Sequence, residues 1–183
     1  MRVFGIDPGS QRTGYGCVES DGTRHRVVAS GAITTAAHAA FPDKLLAIHQ
    51  SLTTLLAECE PAVVAIETLF YATNVRSALK LGHARGVAVL AAVERGLPVA
   101  EYSPAEIKRA VVGYGRAEKH QVQEMIRMLL GLSAVPSPHD VADALAVAIC
   151  HIHHEGSAVA RALATESRRV PRGTPRTWRD FRP

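Results

Sequence analysis

The sequence has few cysteines and no apolar run of membrane length. Cys17, Cys59 and Cys150 are scattered and odd in number. That argues against a disulfide scaffold and a zinc site, and it points to reduced thiols in a cytoplasmic protein. The longest apolar stretches are interrupted by Glu94, Arg95 or His151 and fall short of a bilayer span, so no membrane partner is expected. Met1-Arg2 leads straight into an apolar segment without a leader pattern. Internal repeats and low-complexity tracts are missing too. What is present is ordinary for a globular protein, 47% apolar and 21% charged. A chain of 183 residues suffices for one well-buried domain but not comfortably for two.

The positive charge is unevenly placed. From Ser157 to Pro183 seven arginines face only Glu166 and Asp180, whereas the rest of the chain carries 14 basic and 15 acidic residues. The net charge of +4 is therefore a property of the tail and weak evidence for nucleic-acid binding. Within the body, Arg76, Lys80, His83 and Arg85 lie in an acid-free stretch, and Lys108, Arg109, Arg116 and Lys119 surround Gly113-Tyr114-Gly115. Such clusters also read as solvated helix faces.

Apolar patterning predicts strands over residues 2–6, 13–19, 27–33, 62–66 and 98–102. Asp7-Pro8-Gly9-Ser10 and Ser20-Asp21-Gly22-Thr23 read as the turns joining the first three. A helical period runs through Leu45, Leu46, Ile48, Leu52, Leu55 and Leu56 and ends before Pro61. Further helices are predicted over 73–95, 104–111, 117–130 and from about 139 to 153. Gly82 and Gly86 suggest a kink or a close helix–helix approach. Three strands in hairpin order followed by alternating helices and strands imply an α/β fold, a mixed five-stranded sheet with helices on both faces. Residues 1–156 read as the domain, and 157–183 as a flexible basic tail.

Four carboxylates stand out against this pattern. Val3-Phe4-Gly5-Ile6 ends on Asp7 and Val63-Val64-Ala65-Ile66 ends on Glu67, so two buried strands stop on an acid. Asp140-Val141-Ala142-Asp143 opens the last helix with two acids three residues apart, on one face. Taken singly, most have an ordinary reading. Asp7 suits an Asx-turn, Glu67 a solvated strand end, and Ser137-Pro138-His139-Asp140 a capping box. Asp143 is harder to explain, because an unpaired acid among Ala142, Ala144, Leu145 and Ala146 is strongly disfavoured or protonated.

Held together, four carboxylates call for a cation, and hard Mg²⁺ with oxygen ligands suits phosphoryl transfer. Two such ions roughly 3.5–4 Å apart would activate water and stabilise the leaving oxygen of a phosphodiester. Asp7 is the candidate bridge, Glu67 and Asp143 would hold one ion each, and Asp140 would complete the shell. Lys119 or Lys108 would steady the scissile phosphate.

Five blocks carry a resemblance. They are Gly5-Ile6-Asp7-Pro8-Gly9 with Thr13-Gly14-Tyr15-Gly16; Ala65-Ile66-Glu67-Thr68-Leu69-Phe70; Ser77-Ala78-Leu79-Lys80-Leu81-Gly82 with Ala84-Arg85-Gly86; Lys108 with Val111-Val112-Gly113-Tyr114-Gly115 and Ala117-Glu118-Lys119; and Asp140-Val141-Ala142-Asp143-Ala144-Leu145-Ala146. In this order and spacing they resemble the RuvC family of bacterial Holliday-junction resolvases, in the ribonuclease-H-like superfamily, over roughly residues 1–155.

The resemblance implies a ribonuclease-H-like fold and a Mg²⁺-dependent crossover junction endodeoxyribonuclease, with Mn²⁺ able to substitute. It implies a cytoplasmic homodimer that nicks two opposed strands of four-way junction DNA symmetrically, in homologous recombination and repair, together with the RuvA–RuvB branch-migration complex. Asp7, Glu67, Asp140 and Asp143 take the catalytic and metal-binding positions. Phe70 takes the base-stacking position, and Lys108 and Lys119 the phosphate-contacting ones. The helix after Glu67 becomes the dimer interface, which suits Gly82 and Gly86. Arg76 and Lys80, on that helix, join the expected DNA-binding set, while Tyr71 and His139 receive no role.

Phe70 also reads as a core residue at a strand exit, against base stacking at about 1–3 kcal/mol. His151-x-His153-His154 resembles a metal cluster but reads better as a polar helix end. Three rivals remain in view. A YqgF-like nuclease shares the Ile6-Asp7-Pro8-Gly9 opening but not the Phe70 or Lys119 blocks. A sugar-kinase/actin-type ATPase needs two such domains. A junction-binding module without catalysis is disfavoured by the intact quartet.

Overall fold

The structure, a computed structural model, describes residues 1–68 and 74–167. Phe70 and Tyr71 therefore lie outside the described residues. β1 (Arg2–Asp7), β2 (Arg12–Ser20) and β3 (His25–Thr34) are followed by α1 (Phe41–Cys59), β4 (Val63–Glu67), α2 (Val75–Glu94) and β5 (Val99–Tyr102). Then come α3 (Pro104–Val112), α4 (Lys119–Leu129) and α5 (His139–Ser167). The sheet order is β3-β2-β1-β4-β5. β1–β2 and β2–β3 are antiparallel, and β4 runs parallel to both β1 and β5.

Strand alternation sorts the apolar residues into two cores. Phe4, Ile6, Cys17, Val64 and Ile66 face α1 and α2, packing with Ile48, Leu52, Leu56, Ala84 and Ala88. Val3, Val18, Val63 and Ala65 face the other way, toward Ile107, Val122, Ile126, Leu145 and Ile149 of α3, α4 and α5. All three cysteines are buried and free.

Glycine sets how closely α5 lies on the sheet. A β-carbon on Gly5 would fall on the carbonyl of Ala144 and within 2.9 Å of the Ala148 nitrogen. One on Gly14 would fall on the Asp140 carbonyl, and one on Gly16 would meet the Leu145 side chain. Gly5 and Gly16 are register partners, as are Asp7 and Gly14. A glycine channel across β1 and β2 thus receives the small-residue face of α5.

The predicted elements are present to within two residues at their ends, with one larger difference in length. α5 continues to Ser167, well past 153, because the alanine-rich segment after Gly156 favours helix more than one glycine opposes it. Neither Gly82 nor Gly86 breaks α2, and open space lies over both. Nor is His151 part of a solvated helix end. It is buried and hydrogen-bonded through Nδ1 to the Tyr102 hydroxyl at 2.7 Å, tying α5 to β5. His153 Nδ1 donates to the Ala110 carbonyl at 2.9 Å, tying α5 to α3.

Candidate active site

Parallel pairing places Ile6 beside Ile66. Asp7 and Glu67, one residue further on, therefore end adjacent strands about 4.8 Å apart. Both fall on the odd-numbered face that α5 covers, the face of Val3 and Gly5 on β1 and of Val63 and Ala65 on β4. Across β1, Asp7 pairs with Gly14, and Gly14 is where the Asp140 backbone rests. The glycine channel thereby sets the first turn of α5 beside the acidic strand ends, and Asp143 follows on the same helix face. The turn after Asp7 is closed by Thr13, which is fully buried. Its hydroxyl donates to the Gly9 carbonyl at 2.8 Å and accepts from the Gly9 amide at 3.3 Å.

The four acids share an electrostatic environment. Burial, then the charges of Glu67, Asp143 and Asp140, push the Asp7 carboxyl up to about 8, with Lys119 opposing. Glu67 is also raised, first by burial and then by Asp143, with Lys119 and Lys108 opposing. Among the described residues neither carboxylate has a hydrogen bond or ion pair. The other two acids do have partners. Lys119 Nζ lies 2.7 Å from Asp143 Oδ2, and Arg12 Nη1 lies 3.4 Å from Asp140 Oδ2. Burial works against the Lys119 charge, but the bond to Asp143 and the charges of Asp143, Asp7 and Asp140 outweigh it and raise its pKa.

A cleft of about 200 Å³ opens here, lined by Glu67, Lys108, Lys119 and Asp143 with Ile107 and Val122 at its apolar wall. Lys119 is the first residue of α4, where the helix dipole disfavours a cation. The acids opposite are what offset that. Lys108 is carried in by α3, whose start is held by a Ser103–Glu106 capping box.

Several ordinary readings of single residues are not what the structure shows. Asp7 makes no Asx-turn bond, and Asp140 takes Arg12 rather than capping a helix. Arg85, expected in a basic stretch, is paired with Glu101 at 2.6 Å. Arg76 and Lys80 are exposed on α2, across the sheet from Lys108 and Lys119. Two site residues were not legible in the sequence. Arg12 carried no signal beyond being a lone cation at the start of an apolar strand. His139 was visible only as a helix-start residue, yet its Nδ1 lies 2.7 Å from Nε2 of the buried Gln123, which anchors the start of α5 to α4.

A hard divalent cation fits this donor set. Two unpartnered carboxylates, held against their own charge by burial and flanked by two more, are what such an ion neutralises. Among the described residues no three acidic, thiol or imidazole groups yet stand as ligands of one ion. Asp143 and Asp140 each present Oδ2 to a cation, Lys119 and Arg12 respectively.

The sheet order, the helix layers and the acids at the strand ends define a ribonuclease-H-like fold with a carboxylate cleft. A family model described as crossover junction endodeoxyribonuclease RuvC matches residues 3–151. The chain is 50% identical over 184 residues to RuvC of Pelobacter propionicus, covering 100% of both chains. It is 56% identical over 154 residues to RuvC of Koribacter versatilis, covering 84% of this chain and 93% of that one. Among solved structures, Thermus thermophilus RuvC in complex with a Holliday junction substrate superposes with a TM-score of 0.83 at 34% identity, covering 86% of this chain and 96% of the other. The chain belongs to the RuvC family of crossover junction endodeoxyribonucleases.

Proposed function

We propose that this chain resolves four-way DNA junctions by metal-dependent hydrolysis of one phosphodiester in each of two opposed strands. The observation that carries the reading is the electrostatic coupling of Asp7 to Glu67, Asp140 and Asp143, beside a cleft that Glu67 and Asp143 line together with Lys108 and Lys119. Family membership supports the reaction class. The roles of the acids and of Lys108 and Lys119 are argued from the geometry, and that of Phe70 from the family resemblance.

Bound in the cleft, two Mg²⁺ ions, or Mn²⁺ in their place, would supply an activated water and charge neutralisation at the leaving oxygen. Asp7, Glu67, Asp140 and Asp143 would hold these ions, with Asp7, whose carboxyl feels the charges of the other three, as the central donor. Lys119 has three ammonium donors and leaves Asp143 for a phosphate oxygen when substrate enters. Lys108 neutralises the same phosphate from α3. Phe70, just past Glu67 in the sequence, stacks on an unpaired base, and Arg76 and Lys80 contact the DNA backbone.

The working unit is a homodimer through α2. Val75, Leu79, Leu90 and Val93 are 74%, 60%, 49% and 58% exposed, and with Gly82 and Gly86 they recur every three or four residues along one helix. A two-fold pair of such helices would bury that stripe and place two clefts on symmetry-related strands of a junction. The cytoplasm is the expected compartment and the RuvA–RuvB branch-migration complex the expected collaborator. No helix among the described residues is long and apolar enough to cross a membrane.

The test is to incubate the purified protein with four-way and linear duplex DNA, with and without Mg²⁺, and to map the nicks. Paired symmetric nicks confined to the four-way substrate with metal are expected. Equal nicking of linear duplex, or cutting without metal, would refute the assignment.

A further inference from the structure

The loop that follows Asp7 borders a second groove on the other side of the sheet from Lys108 and Lys119. Ser10 and Gln11 form one wall, Phe41 and Lys44 of α1 another, and Ser77 and Lys80 of α2 the third, around a space of about 550 Å³. No acid lines it. Among the described residues neither lysine has the carboxylate partner that Lys119 and Arg12 have.

Both lysines are braced, which lowers the entropy lost when they grip a ligand. Lys44 Nζ donates to the Ala37 carbonyl at 3.1 Å, leaving two of its three donors unused. Lys80 Nζ stands 5.8 Å from the centroid of the Phe41 ring, which His83 supports edge-on at 5.7 Å. Two unpaired ammonium groups with hydroxyl and amide donors between them, and no competing carboxylate, form a site for a phosphodiester.

We infer that this groove is a second phosphate subsite, in which Lys44 and Lys80, with Ser10 and Ser77, hold the backbone of a strand diverging from the one being cut. The end of the central strand β1, which bears Asp7, stands between this groove and the Lys108–Lys119 rim. A single continuous duplex presents backbone to one side of that strand end, whereas a junction sends strands to both. The subsite therefore contributes selectivity for branched DNA. The inference rests on the junction-cleaving reading above.

The experiment is equilibrium binding of the full chain to labelled four-way and linear duplex DNA across a salt series, without metal so that no cutting occurs. The Lys44→Ala/Lys80→Ala double variant should bind the four-way DNA about ten-fold more weakly at moderate salt, with a log–log salt slope shallower by roughly 1.5 to 2. Its loss on linear duplex should be under about two-fold, since that substrate leaves the groove unfilled. The Lys44→Arg/Lys80→Arg variant, which keeps both charges, should recover most of the affinity and controls for any folding defect in the alanine pair. An unchanged salt slope, or equal losses on both substrates, overturns the subsite while leaving the junction reading intact. A wild-type protein that neither prefers nor nicks four-way DNA overturns that reading and this inference with it.

Discussion

Replacing Asp7 by asparagine should make the metal-free protein more stable and the metal-loaded protein inactive. Asp7 is held among the other acids with its carboxyl raised from 3.8 to about 8, chiefly by burial and then by Glu67, Asp143 and Asp140. A carboxyl whose folded pKa lies above its unfolded value favours folding fully only below the unfolded value. That contribution is lost as pH climbs through the folded one, here between about 4 and 8. At about 1.36 kcal/mol per pH unit the full difference is roughly 6 kcal/mol above pH 8. Water entering the cleft and rotation of the carboxylate recover part of it, so a gain of at least about 2 kcal/mol is expected for Asp7→Asn at pH 8.

For a chain of this length that gain raises the melting temperature by about 4–8 °C. Thermal unfolding of both proteins in chelator at pH 4 and pH 8 measures it, and the difference should shrink toward zero at the lower pH. Adding Mg²⁺ should then raise the wild-type melting temperature and leave the variant nearly unmoved, because a ligand that binds only the folded state stabilises it in proportion to its affinity. A variant no more stable than wild type at pH 8, or a difference independent of pH, would show that Asp7 carries no buried charge among other acids.

Three further outcomes follow from the geometry. Lys119→Ala should slow single-turnover cleavage of a four-way junction about 100-fold, while stability changes by under about 1 kcal/mol because its pair with Asp143 is well exposed on the lysine side; wild-type turnover would return Lys119 to the solvated surface. Gly14→Ala forces a β-carbon onto the Asp140 carbonyl; about 1–3 kcal/mol of destabilisation is expected, with activity lost in the fraction that stays folded, and a stable, active variant would mean that α5 does not seat there. Leu79→Asp places a charge in the exposed stripe of α2; sedimentation should find a monomer and junction cleavage should give single, unpaired nicks, whereas an intact dimer would remove α2 from the interface.

The elements and the faces their residues occupy were set by local pattern. Alternation puts Asp7 on the face of Val3 and Gly5 and Glu67 on the face of Val63 and Ala65, and the pairing of Ile6 with Ile66 in the folded sheet makes these the same face. The three-residue spacing of Asp140 and Asp143 is enough to put them on one helix face. Apolar runs, turn residues and Pro61 mark strand and helix limits to within a few positions, because periods of 2 and 3.6 are written in the chain itself. How near those elements come to one another is not written in any one of them. The glycine channel that lets α5 settle over β1 and β2 depends on Gly5, Gly14 and Gly16 coming into register with one another and with Ala144 and Ala148. The Arg12–Asp140 contact spans more than a hundred residues, and the division of the cations between the two faces of the sheet exists only after α1, α2, α3 and α4 have packed. The kinds of group available for chemistry were thus decided by sequence. Their distances, their partners and the displaced pKa of Asp7 were decided by the tertiary structure, since burial and charge–charge coupling depend on what surrounds a side chain in space.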